Sequence, residues 1–180
     1  MSFKNVLCLI PARSGSKTIK NKNIVKINNK ELFYYSIRFS KKLKFIKKVI
    51  FSSDSSNYLS LAKKFGLNDL HKRKKKLSGD NSLTEDLVRE ILLNENKKNS
   101  NYDFVLILQP TTPFRQKKMF DLAHKILLKK KFDTVITIKD VKDHPERMKK
   151  ILYTNQVVNY LNMKKESLKP RQKLKNIYIR

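Results

Sequence analysis

Four apolar residues, Leu7 to Ile10, run directly into a segment that carries Arg13, Gly15, Lys17, Lys20 and Lys22. Gly15 is one of only three glycines in 180 residues, and a glycine at such a place lets the backbone turn tightly and approach a ligand closely. Backbone N–H groups in such a turn, flanked by cationic side chains, form a cradle for phosphate or another anion. Two familiar versions of that cradle are excluded. The G-x-x-x-x-G-K-[ST] loop fails because Gly15 is not followed by Lys and no glycine lies five residues before Ser16, and G-x-G-x-x-G fails for want of glycines.

The elements that would position such a loop recur along the chain. VLCLI (6–10), VIFSS (49–53), FVLILQ (104–109) and TVITI (134–138) are short apolar runs that predict buried strands. Between them, 31–43, 57–65, 83–98 and 117–131 carry helical patterns, and in the last Met119, Leu122, Ala123, Ile126 and Leu127 fall on one face. Gly66 follows its helix where a C-cap glycine belongs. Strand and helix in alternation predict an α/β three-layer sandwich around a mostly parallel sheet. Ligands in such sheets bind beyond the carboxyl ends of the strands. Arg13 to Lys17, Ser52 to Asp54 and Gln109 to Arg115 would therefore converge on one edge. Residues 1–180 are expected to form a single domain, with a core over 1–140 and an excursion over 141–180 whose short strands are 156–161 and 176–180.

Bulk properties narrow the class. An apolar content of 39% suffices for a core, and no run of 18 apolar residues or leader pattern is present, so the expectation is a cytoplasmic protein without a membrane span. The lone Cys8 sits in an apolar run and reads as a packed thiol. A net charge of +27 suggests a polyanion partner, which makes a basic nucleic-acid-binding protein the alternative from a different class. That alternative is disfavoured. The 42 basic residues divide into 34 Lys and 8 Arg, spread around the chain, whereas base readers and phosphate clamps favour Arg.

The layout Pro11-Ala12-Arg13, Ser14-Gly15-Ser16-Lys17, then Lys22-Asn23 resembles the first loop of the acylneuraminate cytidylyltransferase (CMP-sialic acid synthetase) family. FSSDS (51–55) resembles its strand ending in Ser/Thr-Asp, 73–86 its R-x(3)-L-x-x-D-x-S-x(3)-D segment, and LQPTTPFR (108–115) its L-Q-P-T-S/T-P-x-R block. His144-Pro145 and Arg171-Gln172 match later elements in the same order.

The resemblance implies a Rossmann-like nucleotidyltransferase fold and transfer of CMP from CTP to a nine-carbon α-keto acid sugar with release of pyrophosphate. Synthetases for legionaminate and pseudaminate are the alternatives inside the class. It also implies roles for particular residues. Arg13 and Lys22 would neutralise the triphosphate in the catalytic step, and Ser14, Gly15, Asn23, Arg73 and Ser82 would join them in holding the nucleotide. Gln109, Arg115 and Arg171 would meet the acidic sugar.

Bland readings stand beside these. Arg73 lies in a solvated basic run, Gln109 could be a satisfied turn amide, Asp54 and Asp80 could cap helices, and His144 reads as a turn residue. The family further implies a homodimer and Mg²⁺, the latter held by aspartates that would lie past Arg180. No acidic pair within the chain replaces them, so no metal ligand is assigned. The expectation is a piece of a longer enzyme or a shortened, inactive relative.

Overall fold

The structure, a computed structural model, describes residues 5–16, 19–79, 82–129, 132–141, 143–154, 156–161 and 177–179. It divides into two units, Met1–Lys131 and Phe132–Arg180.

In the first unit the chain forms β1 (Val6–Pro11), the small hairpin β2 (Lys26–Ile27) and β3 (Lys30–Glu31), and α1 (Leu32–Ser40). It continues through β4 (Ile46–Ser53), α2 (Ser56–Lys64), β5 (Leu70–Lys72), α3 (Thr84–Asn96), β6 (Phe104–Ile107) and α4 (Lys117–Leu128). The central sheet has the order β5-β4-β1-β6, and all its pairings are parallel. The chain builds outward from β1 to β5 and then returns to place β6 on the other side of β1. That reversal opens a crevice beyond the carboxyl ends of β1 and β6.

The pleat of β1 explains the layers, because successive side chains point to opposite faces. Cys8 and Ile10 enter a cluster with Phe33, Ile37, Phe51 and Tyr58, while Leu7 and Leu9 enter another with Leu87 and Ile91. Thus α1 and α2 cover one face, with Phe120 of α4 packed against the same cluster, and α3 covers the other. Two of the helices show a periodic buried stripe. In α1 it is Phe33, Ser36, Ile37 and Ser40; in α3 it is Leu87, Ile91 and Glu95. Burial pushes the Cys8 thiol up to about 12, so it packs as an inert neutral group.

Two local stops follow from residue type. Gly66 has φ 81°, and its N–H bonds the Lys63 carbonyl (2.8 Å) while that of Leu67 bonds the Ala62 carbonyl (3.2 Å), a Schellman ending for α2. Asn28 and Asn29, both with positive φ, make the two-residue turn between β2 and β3.

Three expectations are corrected. Residues 134–138 are not a strand; only β7 (Lys139–Asp140) follows them, and Ile136 and Ile138 are half exposed. A β-branched run becomes a strand only when a neighbour takes its ladder bonds, and among the described residues none pairs with 134–138. The inner face of α4 is Phe120, which meets Phe39 edge to face, and His124, stacked on Phe45, whereas Met119 and Leu122 point outward. Aromatic partners selected the face there, since the sequence offers an apolar stripe wider than one contact. Finally, Gly15 has no positive φ, and a Cβ on it would meet nothing within 4 Å. The fold itself therefore does not require glycine at that position.

In the second unit β7 pairs with β10 (Tyr178–Ile179), and β8 (Lys149–Ile151) pairs with β9 (Val157–Asn159), both antiparallel. His144 caps the turn Pro145–Arg147 by accepting the Glu146 N–H (3.2 Å), which is the structural part expected of it. Among the described residues no helix is long and apolar enough to cross a membrane.

Candidate active site

The loop after β1 is held from two sides. The Asp54 carboxylate accepts both the Ser14 N–H (2.8 Å) and the Ser14 hydroxyl (2.6 Å). Asn23, buried at 6% exposure, donates its side-chain amide to the Arg13 carbonyl (2.8 Å). Burial alone would raise the Asp54 carboxyl, yet the two Ser14 bonds hold it below the ordinary carboxylate value. Asp54 is therefore an anchor for the loop; the cap of α2 is Ser55, whose hydroxyl accepts the Tyr58 N–H (3.4 Å).

The segment after β5 supplies a second wall. Arg73 continues the ladder, its N–H bonding the Ser53 carbonyl (2.9 Å), and its guanidinium donates to the Ser52 hydroxyl (3.2 Å) and the Ser52 carbonyl (3.1 Å). At 7% exposure it is a placed cation, and the reading of Arg73 as part of a solvated run fails. Burial also holds its guanidinium below the ordinary value. Arg13 reaches across to the Gly79 carbonyl (2.9 Å), and Ser82 donates its hydroxyl to the Lys76 carbonyl (2.9 Å), which closes this wall.

The third wall follows β6. The Gln109 carbonyl accepts the Thr112 N–H (3.2 Å) and one Arg115 nitrogen, so the turn is satisfied through its backbone while the amide side chain stays exposed. Arg115 donates its other terminal nitrogen to Ser36 in α1 (3.1 Å) and lies over the Phe39 ring. It pins the loop to the helix layer.

These walls enclose a cavity of about 480 Å³. Arg13, Lys22, Asn23, Arg73, Ser82 and Gln109 all line it, so six residues scattered over nearly a hundred positions meet in one place. None of its lining residues is acidic, and three are cationic. Ser14, Gly15 and Arg115 are not in the lining: the polar groups of Ser14 face Asp54, and Arg115 sits behind the wall. Arg171 and Asp80 lie outside the described residues.

One pairing and one residue escaped sequence reasoning. Asp54 and Ser14 were each singled out, but the bond between them, across forty positions, was not. His71 bonds Ser52 through its Nδ1 (2.9 Å); the usable signal was its place two residues before Arg73, on the same face of an extended segment. Among the described residues no group of three or more His, Cys, Asp or Glu could hold a metal ion. Asp54, the carboxylate that follows β4, is committed to Ser14, so the described residues do not fit a magnesium cage.

An open parallel sheet with a cationic crevice at its switch point defines an α/β protein with a site suited to an anion. More narrowly, the profile of the cytidylyltransferase family matches residues 7–178, and the chain belongs to that family.

Its relatives carry several names. The CMP-N,N'-diacetyllegionaminic acid synthase of Campylobacter jejuni is 41% identical over 49% of this chain and 37% of its own length. The N-acylneuraminate cytidylyltransferase of Escherichia coli is 32% identical over 72% and 29%, and the pseudaminic acid cytidylyltransferase of Campylobacter jejuni is 34% identical over 66% and 51%. The chain thus spans about half or less of the length of these relatives. In fold it is similar to CMP:2-keto-3-deoxy-manno-octonic acid synthetase complexed with CTP, with a TM-score of 0.57 at 15% identity over 69% of this chain and 48% of that one.

Proposed function

We propose that the chain carries the nucleotide site of an enzyme that transfers CMP from CTP to an acidic nine-carbon sugar of the N-acylneuraminate type, releasing pyrophosphate. The observation that carries this reading is the meeting of Arg13, Lys22 and Arg73 with Asn23, Ser82 and Gln109 in one cavity free of acidic lining. In-line attack on the α-phosphorus spreads negative charge over the phosphoryl oxygens and the departing pyrophosphate. Fixed cations and backbone N–H groups aimed at those oxygens lower the barrier without reorganising.

Arg13 and Lys22 supply the charge on the first loop, and Asp54 and Asn23 keep that loop in place before substrate arrives. The open space at Gly15 leaves room for a phosphate to approach the backbone. The neutral Gln109 amide, on the wall opposite Arg73, suits sugar hydroxyls or the acyl group. Arg115 and Arg171 remain candidates for the sugar carboxylate, Arg115 after rotating away from Ser36. A homodimer and a cytoplasmic setting are part of the proposal, and so is magnesium, which would need ligands other than the described residues. The charge neutralisation by Arg13, Lys22 and Arg73 does not depend on the metal.

Calorimetry with CTP and ATP tests the site. CTP should bind in preference to ATP, and Arg13→Ala should weaken CTP by about 1.5–3 kcal/mol, the worth of a charged hydrogen bond. Equal affinity for both nucleotides, with steep loss in salt, would instead favour a general polyanion binder. Pyrophosphate release with sialic, legionaminic and pseudaminic acids then identifies the sugar.

A further inference from the structure

Ser52 is completely buried, and its hydroxyl oxygen lies 3.2 Å from Arg73 Nε and 2.9 Å from His71 Nδ1. A guanidinium N–H can only donate. The Ser52 oxygen therefore accepts from Arg73, which leaves its own hydrogen free to be directed at His71. That assignment makes Nδ1 an acceptor and places the imidazole hydrogen on Nε2. The opposite side of the ring agrees: Nε2 faces Glu90 Oε2 at 3.8 Å, and that buried oxygen has no hydrogen-bond partner. A polar chain thus runs from Glu90 on α3 through His71 and Ser52 to Arg73 in the cavity wall.

We propose that His71, as a neutral imidazole, is the positioning residue for Arg73, and that its protonation loosens the grip of the nucleotide site. The proposal rests on the reading of the cavity as a CTP site. Protonated His71 would donate from Nδ1, leaving the Ser52 hydroxyl hydrogen without an acceptor in a fully buried position, and Arg73 would lose its well-oriented partner.

The charges around the ring set when this happens. Glu90 on α3 favours the imidazolium, Arg73 and Lys74 on the segment of His71 itself oppose it, and Lys74 is paired with Glu90 at 2.7 Å. A small hollow beside the ring also brings up Asp69, Glu95 and Lys98. Burial is the largest influence, and it holds His71 below the ordinary imidazole value of 6.5. The neutral form therefore prevails at neutral pH, and the switch operates on the acid side.

Two measurements test this. In nitrogen-15 NMR of the chain without ligand, His71 should show an unprotonated Nδ1 at neutral pH. The Arg73 Nε–H should be protected from exchange, with protection lost on acidification and in His71→Leu. In calorimetry, His71→Leu should weaken CTP by about three- to tenfold at pH 7.5, the loss of one hydrogen bond. His71→Asn, whose side-chain oxygen can stand where Nδ1 accepts, should restore affinity and abolish the added acid dependence. CTP itself titrates in this range, so the ratio of variant to wild-type affinity is the readout.

An Nδ1-protonated His71 at neutral pH, or wild-type CTP affinity in His71→Leu, would overturn the proposal. Failure of the wild-type chain to bind CTP would remove the function proposed above, while the NMR measurement would still decide the arrangement around Arg73.

Discussion

In Met1–Lys131, β1 buries Val6 to Ile10 at 3% exposure or less; in Phe132–Arg180, Ile151, Tyr153 and Val157 lie 73%, 110% and 63% exposed. Both regions contain short apolar, β-branched runs, and both form strands. The difference is what covers them. β1 has a strand on each side and helices on both faces, whereas β8 and β9 form a two-stranded ladder, and no described residue of their unit is buried. Two strands cannot enclose a core. Apolar character alone therefore does not report burial, and the cavity was assembled on the region where the layers close.

The largest effect that could break this contrast is in the core. Phe51→Ala, fully buried against Phe33, should cost about 3–5 kcal/mol of stability in urea unfolding. A small loss would mean that the sheet is less closed than its packing indicates.

Next comes the loop anchor. Asp54→Ala removes two charge-assisted bonds to Ser14 and should cost about 1.5–3 kcal/mol, read as weaker CTP binding with the fold retained. Unchanged affinity would show that the loop stays ordered without Asp54.

A comparable effect on stability is expected at Glu95. Burial pulls its carboxyl up, but bonds from Lys48, Lys98 and Tyr102 more than offset this and hold it below the ordinary 4.5. A depressed carboxylate contributes stability above its unfolded value and loses it as pH falls through the folded one. Glu95→Gln should thus lower stability by about 1.5–3 kcal/mol at pH 7, with the difference from wild type shrinking below pH 4.5. A difference constant with pH would contradict this.

Smaller still, Gln109→Ala should reduce sugar use by about 0.5–1.5 kcal/mol while CTP affinity holds. Equal losses for both ligands would merge the two walls into one subsite. At the bottom of the scale, Ile151→Ala in the second unit should change stability by less than about 0.5 kcal/mol. A large loss would show that this side chain is covered by something in solution and would erase the contrast.

Sequence alone determined the parallel α/β character, because strands buried on both faces must be nearly continuous in apolar residues and their connections must be helices. It also determined where chemistry could lie, since loops after parallel strands share one edge. Arg13 and Gln109 were legible for that reason, whereas Lys22, Asn23, Arg73 and Ser82 were legible only through the resemblance of their segments to the family's loops. Tertiary structure decided what each does. Whether Ser14 faces a ligand or Asp54, whether Arg115 lines the cavity or braces Ser36, and whether His71 is bystander or support depend on partners tens of residues away. The failed strand at 134–138 and the turned face of α4 have the same cause: a ladder or a face exists only with the element that pairs with it. Local sequence encodes propensity, whereas a hydrogen bond needs both ends within about 3 Å, and only the assembled fold brings them there.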